Sequence, residues 1–409
     1  MTATRIVVAV LLGAATAHAQ NATLKAFTGA TLINGTDRAS VPNATIVVRD
    51  GRIVAAGSAS SVTIPNGAQR ISLNGKTVIP GLINAHGHVN DPKDLRTYAA
   101  YGVTTVFSLG GEPPSVFAAR AEQVTPTLDR ARVFLAGPVL APRTPDEART
   151  QVAAVAGQKV DIVKIRVDDN LGTVPKMAPE VYRAVIDEAH KRDLRVATHL
   201  FYLADAKSLL DAGSDFVAHS IRDADVDDEV IAALKKRNVC VSPTLMREVS
   251  TFVYEKTPDF FSDTLFLAHA NREWMAALEK PDAQQAMRTS GSAQRYKVAL
   301  EVAKRNLKRL SDAGVPIAMG TDTGPTGRFQ GYFELMELEQ MVSAGLTPRQ
   351  ALTAATRDAA RCMKLDRDLG TIEPGKWADF VVLDADPLAN ISNVRRIASV
   401  WVAGNQVAR

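Results

Sequence analysis

Val78-Ile79-Pro80-Gly81-Leu82-Ile83-Asn84-Ala85-His86-Gly87-His88 is an apolar run that ends on two histidines one residue apart. A near-continuous apolar run bounded by turn residues reads as a strand buried on both faces, the kind found in parallel sheets covered by helices. In an extended chain residues i and i+2 point to the same side, so His86 and His88 can both face one ion. Alone, a His-x-His pair is a weak motif, since two histidines at a strand end also serve to satisfy local hydrogen bonds.

Downstream the pattern alternates. Candidate strands cover 77–83, 104–109, 132–135, 161–167, 195–198, 215–218, 239–241 and 316–319, and eight is the count that closes a barrel. Amphipathic stretches separate them, as in 178–192, where Val181, Ala184, Val185 and Ala189 share a helical face. A doubly wound open sheet competes, but no Gly-rich dinucleotide loop follows the first strand. The expected fold is therefore an α/β (β/α)8 TIM barrel spanning 76–364. The flanks read differently: 44–48 and 52–56 are β-rich runs around Asp50-Gly51, a strong hairpin signal. Similar runs at 379–383 and 398–402 precede Gly404-Asn405, so segments 20–75 and 365–409 are expected to join as a small β-sandwich domain.

The 409 residues are 46% hydrophobic and 22% charged, which suits a globular enzyme and excludes a largely disordered chain. A formal net charge of +4 is small for this length, and no block of like charges could track a phosphate backbone, so nucleic acid is not an expected partner. Met1 and Arg5, the apolar stretch 6–15 and Ala17-His18-Ala19 together read as a signal peptide covering 1–19, cleaved after Ala19. About 10 apolar residues fall short of the ~30 Å needed for a stable membrane anchor. A periplasmic or secreted protein is expected, and homo-oligomerisation stays open. Cys240 and Cys362 are too few for a disulfide framework, and whether they pair is open.

Other polar residues fall where the strands end. His199 closes the fifth candidate strand, His219 the sixth and Asp322 the eighth, all on the face where barrel active sites are built. Of the other histidines, His18 leaves with the signal, His190 lies on a helix surface and His269 sits in a long loop. Lys164, inside an apolar strand, is costly there unless paired or neutralised. It either pairs with Asp168 or Asp169, or its neutral amine reacts with carbon dioxide to give a carbamate that can bridge two cations.

Together these residues resemble the amidohydrolase superfamily over nearly the whole chain after the signal. Gly81 to His88 is similar to its first-strand motif, and Gly370 to Leu383 to its return into the small β domain. The Lys164 strand with His199, His219 and Asp322 is similar to the binuclear branch of imidazolonepropionase-like dipeptidases and amide hydrolases. That resemblance implies two divalent metal ions, zinc above others: His86, His88 and Asp322 on the first, His199 and His219 on the second, and carbamylated Lys164 between them. It further implies hydrolysis of an amide or peptide bond, in a dipeptide or N-acyl amino acid, by a hydroxide shared by the metals, with Asp322 as proton shuttle. A lactone or ester hydrolase with the same site is the alternative. Mononuclear deaminases and imidazolonepropionase typically carry a Glu where this chain has Tyr202, which turns the expectation towards acyclic amides. Tyr202 is also a candidate donor to a substrate carbonyl or carboxylate, or a buried tyrosine with a protein partner, and Arg222 is a candidate clamp for a substrate carboxylate, or an exposed surface arginine. Finally, Phe252, Tyr254, Phe260, Phe261, Phe266 and Trp274 crowd the long connection before the eighth strand; they either form an apolar lid over the site or pack the helices of that connection onto the barrel.

Overall fold

The computed structural model describes residues 23–409; the signal peptide expected at 1–19 lies outside them. Both flanks of the chain contribute to one sheet. From the N-terminal side come β1 (Leu24–Leu32), β2 (Val41–Arg49), β3 (Arg52–Ser58), β4 (Gln69–Ser72) and β5 (Thr77–Pro80). The expected Asp50-Gly51 hairpin joins β2 and β3, with Arg49 opposite Arg52. Next in the chain come β6 (Leu82–Gly87), β7 (Val103–Ser108), β8 (Arg132–Leu135), β9 (Val163–Arg166), β10 (Val196–His199), β11 (Phe216–Val217) and β12 (Cys240–Val241). The C-terminal flank returns with β13 (Phe380–Leu383), β14 (Ile397–Val402) and β15 (Asn405–Gln406). The flanking sheet runs β15-β14-β13-β5-β1-β2-β3, with β4 also on β1. Its apolar face buries Phe27, Ile46, Val78, Phe380, Val382 and Trp401, and Phe27 meets Trp401 edge-on at 4.7 Å.

The middle is parallel. β6-β7-β8 form one sheet and β9-β10-β11-β12 another. Single parallel pairings link them, Leu140 with Ile165, Val241 with Ile317 and Gly87 with Thr323. Helices alternate with these strands. Pro179–His190 starts on a proline at the first helical position, whose missing N–H has no partner to lose there. It buries Val181, Ala184, Val185 and Ala189, the face expected from their spacing.

Two strand assignments need correction. The stretch 77–83 is two strands in different sheets, broken at Gly81. A Cβ at Gly81 would lie 2.0 Å from Thr104 Oγ1, and its N–H turns to Asp379 O at 2.9 Å while Leu82 N turns to Gly102 O. The stretch 316–319 pairs only at Ile317, because Met319 gives its N–H to Ala354 O at 2.8 Å instead of to a neighbouring strand.

Of the two readings of the aromatics, packing against protein is the one seen for most of them. Tyr254, Phe261 and Phe266 are buried, and Phe260, Phe266 and Trp274 pack on Tyr332 and Phe329 of the segment after the eighth strand. Apolar composition put these rings against protein, where the helices Thr264–His269 and Arg272–Leu278 need an inner face. His269 ends the first of these helices and lies edge-on to Tyr101.

Cys240 and Cys362 form a disulfide across 122 residues of sequence, tying β12 to the helix Arg357–Cys362. Closing a loop of that size restricts the unfolded chain, so reduction is expected to cost ~2–4 kcal/mol. Urea melts of wild type and Cys362→Ser, with and without reductant, measure it. Coincident transitions in all four would show that the bridge contributes nothing.

Candidate metal centre

His86 stands near the end of β6 and is fully buried. Its Nδ1 lies 2.6 Å from Ala218 O, an acceptor only, so Nδ1 carries the hydrogen and donates. Burial first, and Lys164 second, hold its pKa well below the usual histidine value, so the ring is neutral and Nε2 presents a lone pair. That lone pair faces Asp322 Oδ1 at 3.4 Å. A lone pair opposite an anionic oxygen is an arrangement that a cation bridges. His88 repeats it: Nδ1 donates to Gly110 O at 3.0 Å, and Nε2 lies 2.9 Å from the same Asp322 oxygen. A carbonyl on one ring nitrogen is the usual device that orients a metal-binding histidine. One ligand atom from each of His86, His88 and Asp322 lies within 4.8 Å of the other two, the only such group of three among the described residues. Two imidazoles and a carboxylate suit zinc, manganese, cobalt or iron.

Asp322 sits at the turn that leaves the eighth strand, in the left-handed region at φ 59°. Burial opposes its ionisation, but Arg328, helped by His86 and His88, outweighs burial and holds the carboxyl well below the usual carboxylate range. Arg328 Nη1 donates to Asp322 Oδ2, which leaves Oδ1 to the histidines.

Lys164 lies in β9, buried, with Nζ 3.1 Å from His86 Nε2. Burial pushes its pKa down to about 7. It forms no ion pair among the described residues: Asp168 goes to Arg166 and His199, and Asp169 accepts from Tyr202. The amine is thus unpaired and about half unprotonated at neutral pH, which favours the reactive of the two sequence readings.

His219 and His199 stand beside this group with ring centroids 4.1 Å apart, and His219 is 4.6 Å from His86. His219 Nδ1 meets Thr244 Oγ1 at 2.8 Å, while Nε2 is buried without a protein partner. A buried polar atom left so costs ~1–3 kcal/mol unless something occupies it. His199 differs, because its Nε2 meets Asp168 Oδ2 at 2.5 Å. Burial pushes its pKa down to about 3, so a neutral ring donates to Asp168 and leaves Nδ1 free.

The two residues expected to meet substrate are both engaged. Tyr202 donates to Asp169 Oδ1 at 2.8 Å under Lys176, and burial together with Asp169 pushes its phenol up to about 12. Arg222 is neither an exposed arginine nor a free clamp. It is buried, with Nη1 donating to Leu200 O and Ser220 O and the guanidinium ion-paired with Glu248 at 2.9 Å, and none of these contacts reaches a predicted ligand. Neither its Nε nor its Nη2 makes a hydrogen bond within the protein. Sequence reasoning missed Arg328 and Glu112, whose Oε1 accepts from Gly110 N at 2.9 Å beside the carbonyl that meets His88, and it offered Asp168 to Lys164 where the structure gives it to His199. Asp168, two residues past β9, obeys the strand-end rule and was open to it. A cavity of about 590 Å³ bordered by Arg195, Asp215, Cys240 and Cys362 holds none of these groups.

Known proteins share this architecture. The sequence profile described as "Amidohydrolase family" matches residues 77–407. An imidazolonepropionase of Streptomyces coelicolor is 23% identical over 416 residues, covering 89% of this chain and 92% of that protein. Among solved structures, a Bifidobacterium longum protein ascribed prolidase activity is 28% identical with a TM-score of 0.77, covering 94% of this chain and 95% of its own. A Xaa-Pro dipeptidase with bound methionine in its active site is 18% identical, with a TM-score of 0.76 over 94% of this chain and 100% of its own.

Proposed function

The chain belongs to the amidohydrolase family and is a hydrolase acting on C–N bonds, and on that premise we propose an exported, binuclear enzyme that cleaves the amide or peptide bond of a dipeptide or N-acyl amino acid. One observation carries this reading: Asp322 Oδ1 lies opposite both His86 Nε2 and His88 Nε2, beside a buried lysine without an ion-pair partner and the unpartnered Nε2 of His219. His86, His88 and Asp322 would hold the first ion, His199 and His219 the second, and carbamylated Lys164 would lie between them. Two divalent ions there would supply Lewis acidity towards the carbonyl and lower the pKa of water. Asp322 Oδ1 takes the proton of the attacking water and delivers it to the departing amine, while Arg328 keeps the carboxylate oriented through Oδ2. Tyr202, protonated at neutral pH, donates to the substrate once it lets go of Asp169.

The same reading takes the segment expected at 76–364 as a (β/α)8 barrel, now entered at β6 because β5 joins the flanking sheet, and segments 20–75 and 365–409 with β5 as a small β-sandwich domain. The parallel pairings between the two middle sheets support the first, and the shared flanking sheet supports the second. A disulfide supports export, because such bonds persist in oxidising compartments. Among the described residues no helix is long and apolar enough to cross a membrane.

Purified protein is expected to hold close to two divalent ions per chain by elemental analysis, and to turn over dipeptides or N-acyl amino acids in a panel that also contains lactones. One ion at full activity would defeat the bridged pair. Turnover of lactones alone would replace the amide reading.

A further inference from the structure

Two residues of the site stand in backbone conformations that disfavour them. Asp322 and Thr244 lie in the left-handed region, at φ 59° and 48°. Thr244 is β-branched, for which this region is a genuine outlier. Such residues persist only where their surroundings over-determine them. One helix, Tyr332–Ser343, supplies what holds each.

Glu334 and Glu337 lie three residues apart on that helix, so they share a face. Both are fully buried among Phe333, Leu335, Leu338 and Met341. Glu334 Oε1 accepts from Asn84 Nδ2 at 2.6 Å, Thr321 Oγ1 at 2.8 Å and Thr323 Oγ1 at 2.6 Å. Thr321 and Thr323 bracket Asp322, and Asn84 Oδ1 in turn accepts from His86 N at 2.9 Å. Glu337 accepts from Leu245 N at 2.8 Å and Met246 N at 2.7 Å, the start of the helix Leu245–Val249. It thereby fixes Thr244, which precedes that helix and whose hydroxyl meets His219 Nδ1.

Burying a carboxylate is costly, and leucine or methionine would fill the same space in this apolar face without that cost. What the two carboxylates add is grip on opposite parts of the centre. We propose that Glu334 and Glu337 are positioning residues that set both halves of the metal site from one helix, Glu334 acting on His86 and Asp322 and Glu337 acting on His219. The proposal rests on the reading that those residues hold divalent ions.

The test uses metal-free full-length protein and zinc, titrated against a chromophoric chelator below the melting temperature of each variant, with kcat and KM measured separately. Glu334→Leu and the milder Thr323→Val are expected to weaken zinc binding ~10- to 100-fold, the usual effect of losing a group that orients a ligand. They lower kcat while KM stays near wild type. Glu334→Gln, which keeps an accepting Oε1, recovers most of both. Glu337→Leu and Thr244→Val weaken one of the two zinc equivalents by the same order, and Thr244→Ser restores it. If the glutamate variants do not fold, the threonine variants decide. Variants that melt earlier but keep wild-type zinc affinity and kcat overturn the proposal by itself. Wild-type protein that takes up no zinc overturns the metal reading, and this proposal with it.

Discussion

Asp322→Asn is expected to lower kcat by ~10² to 10⁴, the range that general acid–base catalysis supplies, while much of the metal stays bound. Asparagine keeps the shape of the side chain and one oxygen that can face a cation held by His86 and His88. It cannot take a proton from water or return one to the leaving amine. The wild-type carboxyl is suited to the first task because Arg328 and the two histidines keep it ionised against burial. Steady-state rates on the best substrate of the panel, with elemental analysis of the same preparation, separate loss of proton transfer from loss of metal. A fall below tenfold would remove Asp322 from the proton path.

Lys164→Ala is expected to abolish turnover and to weaken metal binding by more than ~100-fold, beyond the loss of a group that merely orients a ligand. With a pKa near 7, about half of its amine is unprotonated at neutral pH and open to carbon dioxide. Alanine also leaves a cavity, so Lys164→Met, which keeps the volume of the stem, is the control for packing. Equal losses in both variants point to the nitrogen. Formate, acetate or propionate added with zinc should restore part of the activity by standing where the carbamate stood. Wild-type turnover in Lys164→Met would count decisively against the bridge.

Legibility followed the range of each interaction. His86 and His88 were readable because a two-residue period is local, and His199, His219 and Asp322 because strand ends on one face gather residues distant in sequence. Lys164 stood out as a charge inside an apolar strand. The break at Gly81 was not readable, since its cause, the side chain of Thr104 beneath it, lies in the next strand. Arg222 looked like a surface or substrate arginine because its partner Glu248 sits in the long connection, whose path no local pattern reveals. The aromatics of that connection were recognised as apolar, but composition does not say which way a ring faces, and they face protein. Arg328 carries no local mark at all. Glu334 and Glu337 did carry one, two charges at i and i+3 within an apolar helical stretch.

The pairing of β5 also imposes an order of events. A chain is made from its N-terminus, and segments begin to fold as they emerge. β5 leads through Gly81 directly into β6 and His86, yet one of its two neighbours is β13, with Val78 opposite Val382. That neighbour is made roughly 300 residues later than β5 itself. The strand that leads into His86 therefore stays half paired until β13 has been made. Loss of β13 would strip one of two neighbours from the strand that runs through Gly81 into His86, so the flanking sheet and the candidate centre share one piece of backbone.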